Sequence, residues 1–124
     1  MTTKQLHRLV ALWQKRLRIQ DWDLTVSIHS EAEMAREGYE DVWGICFVEI
    51  HKKRASIKIS NAVGSDGSKD TFESVLVHEL LHVMIPGRDL GVSVEEHESA
   101  PHIAYERIID QLSHILVEAF RGKN

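Results

Sequence analysis

Between residues 22 and 29 apolar and polar side chains alternate without a break: Trp22, Leu24, Val26 and Ile28 against Asp23, Thr25, Ser27 and His29. That is the period of a strand with one buried face. The stretch before it has another period. Leu6, Leu9, Val10, Trp13 and Leu17 fall at helical spacing, and Thr2 with Gln5 has the spacing of a capping box, so residues 1–20 predict a first helix. Residues 30–38 are polar and rich in Glu, Ala and Arg, and read as a loop or as one short helix stopped by Gly38. Residues 42–50 are apolar on both faces, which predicts a strand covered on both sides. His51, Lys52, Lys53 and Arg54 make a charged turn. Residues 55–60 alternate again, as the return strand of a hairpin with lysine on its outward side, a feature of edge strands.

The second half is helical. After a loop at 64–68, Asp70 offers a capping carboxylate with Glu73 three residues on. The helix that follows, 75–85, is apolar on nearly every side, so it is buried. Pro86 and Gly87 end it, and an acidic connection over 95–98 follows. Ser99, Ala100 and Pro101 can cap and open a last helix, whose apolar face holds Ala104, Tyr105, Ile108, Ile109, Leu112, Leu116 and Phe120. The expected fold is α+β: one domain over residues 1–124, with a small three-stranded mixed sheet, an N-terminal helix, a buried central helix and a C-terminal helix.

Composition adds boundaries. A chain of 124 residues buries roughly two-thirds of the surface its unfolded form exposes and needs no staples. The single cysteine, Cys46, lies in an apolar run and reads as a buried core thiol. One cysteine and no signal peptide point to a reducing, cytoplasmic setting. The first helix carries Lys4, Arg8, Lys15, Arg16 and Arg18 with no acidic residue. It is not serine-rich and its apolar positions are helical, so it reads as a solvated basic face rather than a targeting segment. No run is long enough to cross a membrane, and the net charge of −4 argues against a nucleic-acid binder.

The chemistry concentrates at residues 78–82, His-Glu-Leu-Leu-His. Histidines four apart on a helix share one face and can share one ion, and neutral imidazole is a preferred zinc ligand. Glu79 lies beside that ion without needing to bind it, where it can take a proton from water activated at about neutral pH. Two histidines and a glutamate inside an otherwise apolar helix are costly to bury unpaired; a metal site resolves the cost. A catalytic zinc needs a third protein ligand. Glu95, Glu96, His97, Glu98, His102, Glu106, Asp110 and His114 are available downstream. A third histidine six residues after His82 is ruled out by Arg88. Glu106 is the choice, on a helix that can cross the zinc helix, with Asp110 one turn later to accept a hydrogen bond from the second nitrogen of His78. His102 is an alternative ligand, an oxyanion donor or an exposed residue of the first helical turn. His97 and Glu98 read as rim residues. His7, His29, His51 and His114 read as surface or satisfied side chains. Two imidazoles and a carboxylate suit Zn2+, one per chain.

With His78-Glu79-Leu80-Leu81-His82 and, downstream, Glu106 followed four residues later by Asp110, the sequence resembles the gluzincin class of zincin metallopeptidases. In size and element order it is similar to the minigluzincins and to small phage and bacterial proteins with this motif. The resemblance is specific over residues 70–120. It implies zinc ligands at His78, His82 and Glu106, a general base at Glu79, and support of a ligand by Asp110. It also implies a polypeptide substrate laid out along an edge strand, expected at residues 55–60, where main-chain pairing gives affinity without sequence specificity. Tyr39, His97 and His102 are the candidates for holding the oxyanion. Larger gluzincins have a further subdomain that forms the lower wall of the cleft. Little chain follows Asp110 here, which predicts a shallow site and weak or partner-restricted activity. A zinc-stabilised interaction module without turnover is the alternative reading. Some zincin proteases of the SprT type act on DNA-bound proteins, but this chain has no separate basic or zinc-ribbon domain.

Overall fold

A computed structural model describes residues 1–92 and 99–121. The expected connection at 95–98, with His97, therefore lies outside the described residues. The fold is α+β. In chain order the elements are α1 (Thr3–Arg16), β1 (Asp23–His29), α2 (Glu31–Arg36), β2 (Gly44–Glu49), β3 (Arg54–Ser60), α3 (Phe72–Met84) and α4 (Ala100–Phe120), with short 3-10 turns at Ile50–Lys52 and Gly87–Leu90.

The helix starts follow capping chemistry. Thr2 and Gln5 form the expected reciprocal box at α1. Ser30 and Glu33 do the same at α2, so residues 30–38 are the short helix rather than a loop; Gly38, at φ 90°, leads the chain out. The cap of α3 is Thr71, not Asp70: the Thr71 hydroxyl accepts from the Ser74 amide. Asp70 instead lies 3.2 Å from His114 on α4. Ser99 caps α4, with Pro101 in the first turn, as expected.

The sheet has the order β1-β3-β2, parallel between β1 and β3 and antiparallel between β2 and β3. Residues 55–60 are thus the central strand, and the expectation that they form the edge is wrong. The alternation there reports one fully buried face: Ala55, Ile57 and Ile59 are at most 2% exposed. Lys58, on the other face, pairs with Glu37 beyond α2 at 2.6 Å; it is a face residue, not an edge guard. The edge is β2. It was expected to be covered on both sides, yet none of its residues is buried. Only Cys46 and Val48 pack into the core, opposite Ile57 and Ala55, while Phe47 is 46% exposed on the far face.

The helix α3 packs beneath β2 and β3 and is touched by α1 and α4. Eight of its residues are buried, as its all-round apolarity requires. Trp13 of α1, wholly buried, joins the helical layer: its indole N–H donates to Glu73 at 2.8 Å and its ring meets Phe120 edge-on. The buried stripe of α4 is Tyr105, Ile109, Ser113 and Val117, every fourth residue, flanked by Leu112, Leu116 and Phe120. Ile108, expected inside, is 52% exposed. Serine at 113 lies at the centre of the stripe, its hydroxyl donating to the Asp110 carbonyl at 2.6 Å. Among the described residues no helix is long and apolar enough to cross a membrane.

Candidate metal centre

The crossing of α3 and α4 brings the predicted residues together. His78 and His82, one turn apart, have ring centroids 5.0 Å from each other. The Glu106 carboxylate straddles them, with one oxygen 3.3 Å from His78 Nε2 and the other 3.3 Å from His82 Nε2. One donor atom from each of the three lies within 4.8 Å of the others. Zinc bonds of about 2.0–2.1 Å in a tetrahedron place neighbouring donors about 3.3–3.4 Å apart, so the two imidazole–carboxylate separations fit a shared ion.

The outer nitrogens decide whether the inner ones can bind metal. His78 Nδ1 faces Asp110 at 3.4 Å. A carboxylate only accepts, so with an ion at Nε2 the ring's one proton would sit on Nδ1 and point at Asp110; without an ion the Glu106 carboxylate calls for a proton on Nε2 as well. His82 Nδ1 lies 2.8 Å from the Tyr105 hydroxyl. That hydroxyl has one proton, which it donates to the Ile85 carbonyl at 2.7 Å. His82 must therefore donate from Nδ1, and its Nε2 also faces inward as a lone pair. Burial, with Glu106 adding to it, pushes the Tyr105 phenol up to about 12, so it keeps that proton.

Tyr105 was expected only as part of an apolar helix face. The signal that identifies it is chemical: a buried tyrosine hydroxyl needs a partner, and this one sits next to the predicted ligand. The reading of His114 as a satisfied side chain is also incomplete. It lies between Asp70 and Asp110, 3.2 and 3.9 Å away, and so borders the carboxylate that faces His78.

Glu79 is 6% exposed and accepts no hydrogen bond from any described residue. Burial raises its carboxyl above the ordinary range, against the pull of His78 and His82. Burial also raises the pKa of Glu106, but hydrogen bonds from both histidines outweigh it and hold that carboxyl well below the ordinary range. Burial lowers His78, and the carboxylates of Glu106, Glu79 and Asp110 together reverse the sign. Glu79 is thus the carboxylate kept out of the cluster of His78, His82 and Glu106.

A cavity of about 870 Å³ opens above Glu79 and both histidines, walled by β2 on one side and by Pro86, Val92 and Tyr105 on the other. His102 lines it, half-buried, without joining the converging donors. Tyr39 packs against Phe47, at 6.1 Å between rings, and lines neither this cavity nor the smaller one beside it. Gly44 brings β2 against Glu79: a Cβ there would lie 2.7 Å from Val75 Cγ1 and 3.2 Å from a Glu79 oxygen. No family model, curated protein or solved structure matches this chain.

Proposed function

We propose that this chain is a zinc-dependent metallopeptidase of the gluzincin type. The observation that carries the reading is the paired geometry of the cluster. Each histidine lies 3.3 Å from a Glu106 oxygen, and each has its outer nitrogen facing an acceptor, which suits an inner nitrogen that binds an ion. His78, His82 and Glu106 hold the ion. Bound zinc supplies Lewis acidity, which makes water a nucleophile near neutral pH and polarises a carbonyl.

The residues of the chain do the rest. Glu79 removes a proton from the attacking water as the new C–O bond forms at the scissile carbonyl. It then returns that proton to the amide nitrogen as the C–N bond breaks, leaving a carboxylic acid and an amine, and transfer of the acid's proton to the amine gives carboxylate and ammonium products. Tyr105 and Asp110 hold the imidazoles in orientation. Substrate lies extended along the open edge of β2, which lines the cavity.

The test is metal content and hydrolysis in parallel. Parent protein purified without added metal carries one zinc per chain, Glu106→Ala carries none, and Glu79→Gln keeps zinc but no longer cleaves an unfolded, fluorescently labelled protein. No zinc in the parent overturns the reading. Zinc without hydrolysis in the parent replaces it with a zinc-stabilised interaction module.

A further inference from the structure

The site has a second, smaller cavity of about 290 Å³ on the other side of Glu79. It shares Gly44, His78, Glu79 and Glu106 with the larger one, so the two form one groove that runs past the metal cluster. Their chemistry differs. The larger half is walled mainly by apolar side chains such as Val48, Pro86 and Val92, with Lys52 and Arg88 also lining it. The smaller half is lined by Asp41, Asp70, Glu79, Glu106 and Asp110, and by no lysine or arginine.

Not all of that negative charge is committed. Glu106 faces the two histidines, Asp110 faces His78, and Asp70 is partly offset by His114. Asp41 makes no ion pair or hydrogen bond with a described residue. Glu79, more than nine-tenths buried and without a hydrogen-bond donor among the described residues, lines both halves. A neutral or acidic group entering the small half would lose hydration with no counter-charge; a cationic group would gain Asp41 and, in part, Asp70, with Glu79 at the inner end.

We infer that the smaller cavity is a subsite for the cationic group of a peptide, placed so that a bond next to a cation and next to an apolar residue lies over Glu79. The cation is a lysine or arginine side chain or the α-ammonium of a chain end. This rests on the peptidase reading for its consequence, but not for its test.

The probes are short N-acetylated, C-amidated peptides that pair leucine with lysine, and identical ones with norleucine for lysine. A third peptide has norleucine and a free N-terminus. Binding is measured by calorimetry to the full chain carrying Glu79→Gln, which leaves peptides intact. The lysine or the free-amine peptide binds about five- to tenfold tighter than its neutral counterpart, and whichever does so names the source of the cation. The advantage falls to about twofold or less in Asp41→Asn and in Asp41→Asn/Asp70→Asn. Asp41 is exposed, and its left-handed backbone (φ 58°) suits asparagine, so the single variant folds.

Equal affinity for cationic and neutral peptides overturns the inference, as does an advantage that survives both substitutions, or no binding of any peptide. A protein that cleaves nothing yet discriminates sinks the peptidase and keeps the subsite. One that cleaves with no preference for a nearby cation does the reverse.

Discussion

Removing one oxygen atom from Tyr105 tests the logic of the metal centre more sharply than removing a ligand. The hydroxyl links His82 Nδ1, at 2.8 Å, to the Ile85 carbonyl, at 2.7 Å. Both lie well within hydrogen-bonding range. Phenylalanine keeps the ring, which is 8% exposed and packed near Gly87, and deletes both bonds. In the metal-free protein the cost is the net worth of the bonds plus the groups left without this partner, about 1–3 kcal/mol, or several degrees of melting temperature. In the metal-bound protein there is a further cost. His82 loses the group that keeps its proton on Nδ1 and its ring turned inward, and losing such support typically weakens metal binding about 10- to 100-fold. The assay is a zinc competition titration against a chromophoric chelator, with melting curves in zinc and in chelator alongside. Tyr105→Phe should lose more stability in zinc than in chelator, and the difference should equal the loss in zinc affinity. If zinc affinity stays within twofold of the parent, the hydroxyl does not orient His82 and the argument from its single proton is refuted.

Three further outcomes follow from the same geometry. Without metal, stability should fall as pH rises from about 5 to 8. Glu79 and His78 are raised above their ordinary values of 4.5 and 6.5, so their protons stabilise the fold fully below those values and that share is lost as pH climbs through the folded ones. Glu106, depressed, is lost only in strong acid; a higher melting temperature in chelator at pH 8 than at pH 5 contradicts this. Gly44→Ala should cost about 1–3 kcal/mol, because its Cβ meets Val75 and crowds Glu79. Adding Val75→Ala should recover part of that in denaturant melts, and no cost in the single variant would show that β2 can move aside. Trp13→Phe should destabilise by at least about 1.5 kcal/mol through the lost indole bond to Glu73, and a change under about 0.5 kcal/mol in urea unfolding would remove that bond as a brace between α1 and α3.

The helices were legible because their signals are local. Thr2 with Gln5 and Ser99 with Pro101 mark helix starts within four residues, and an apolar run such as 75–85 has no stable place except inside. The residues that converge at the crossing of α3 and α4 were legible for the same reason. The spacing of His78 and His82 is a property of one helix, as is that of Glu106 and Asp110, and only the crossing of the two had to be supplied. Tyr105 escaped because the bond that defines it runs to a residue twenty positions away, which no window along the chain contains.

The order of strands was not legible, and the error bears on the site. Residues 55–60 alternate in the way an edge strand does, because one sheet face is dry and the other is not. That pattern says nothing about how many neighbours a strand has. The parallel partner β1, joined to β3 through α2 and β2, makes β3 central. Its burial leaves β2 as the only strand with an open edge above α3 among the described residues. β2 is also the strand with a glycine facing Val75 and Glu79. A residue with a side chain at position 44 would fill the space between strand and base. Glycine keeps that space, so the open edge runs close to the Glu79 carboxylate. The open strand edge and its approach to Glu79, on which the proposed peptidase reading depends, are thus set by the same strand assignment, which the alternation of residues 55–60 could not supply.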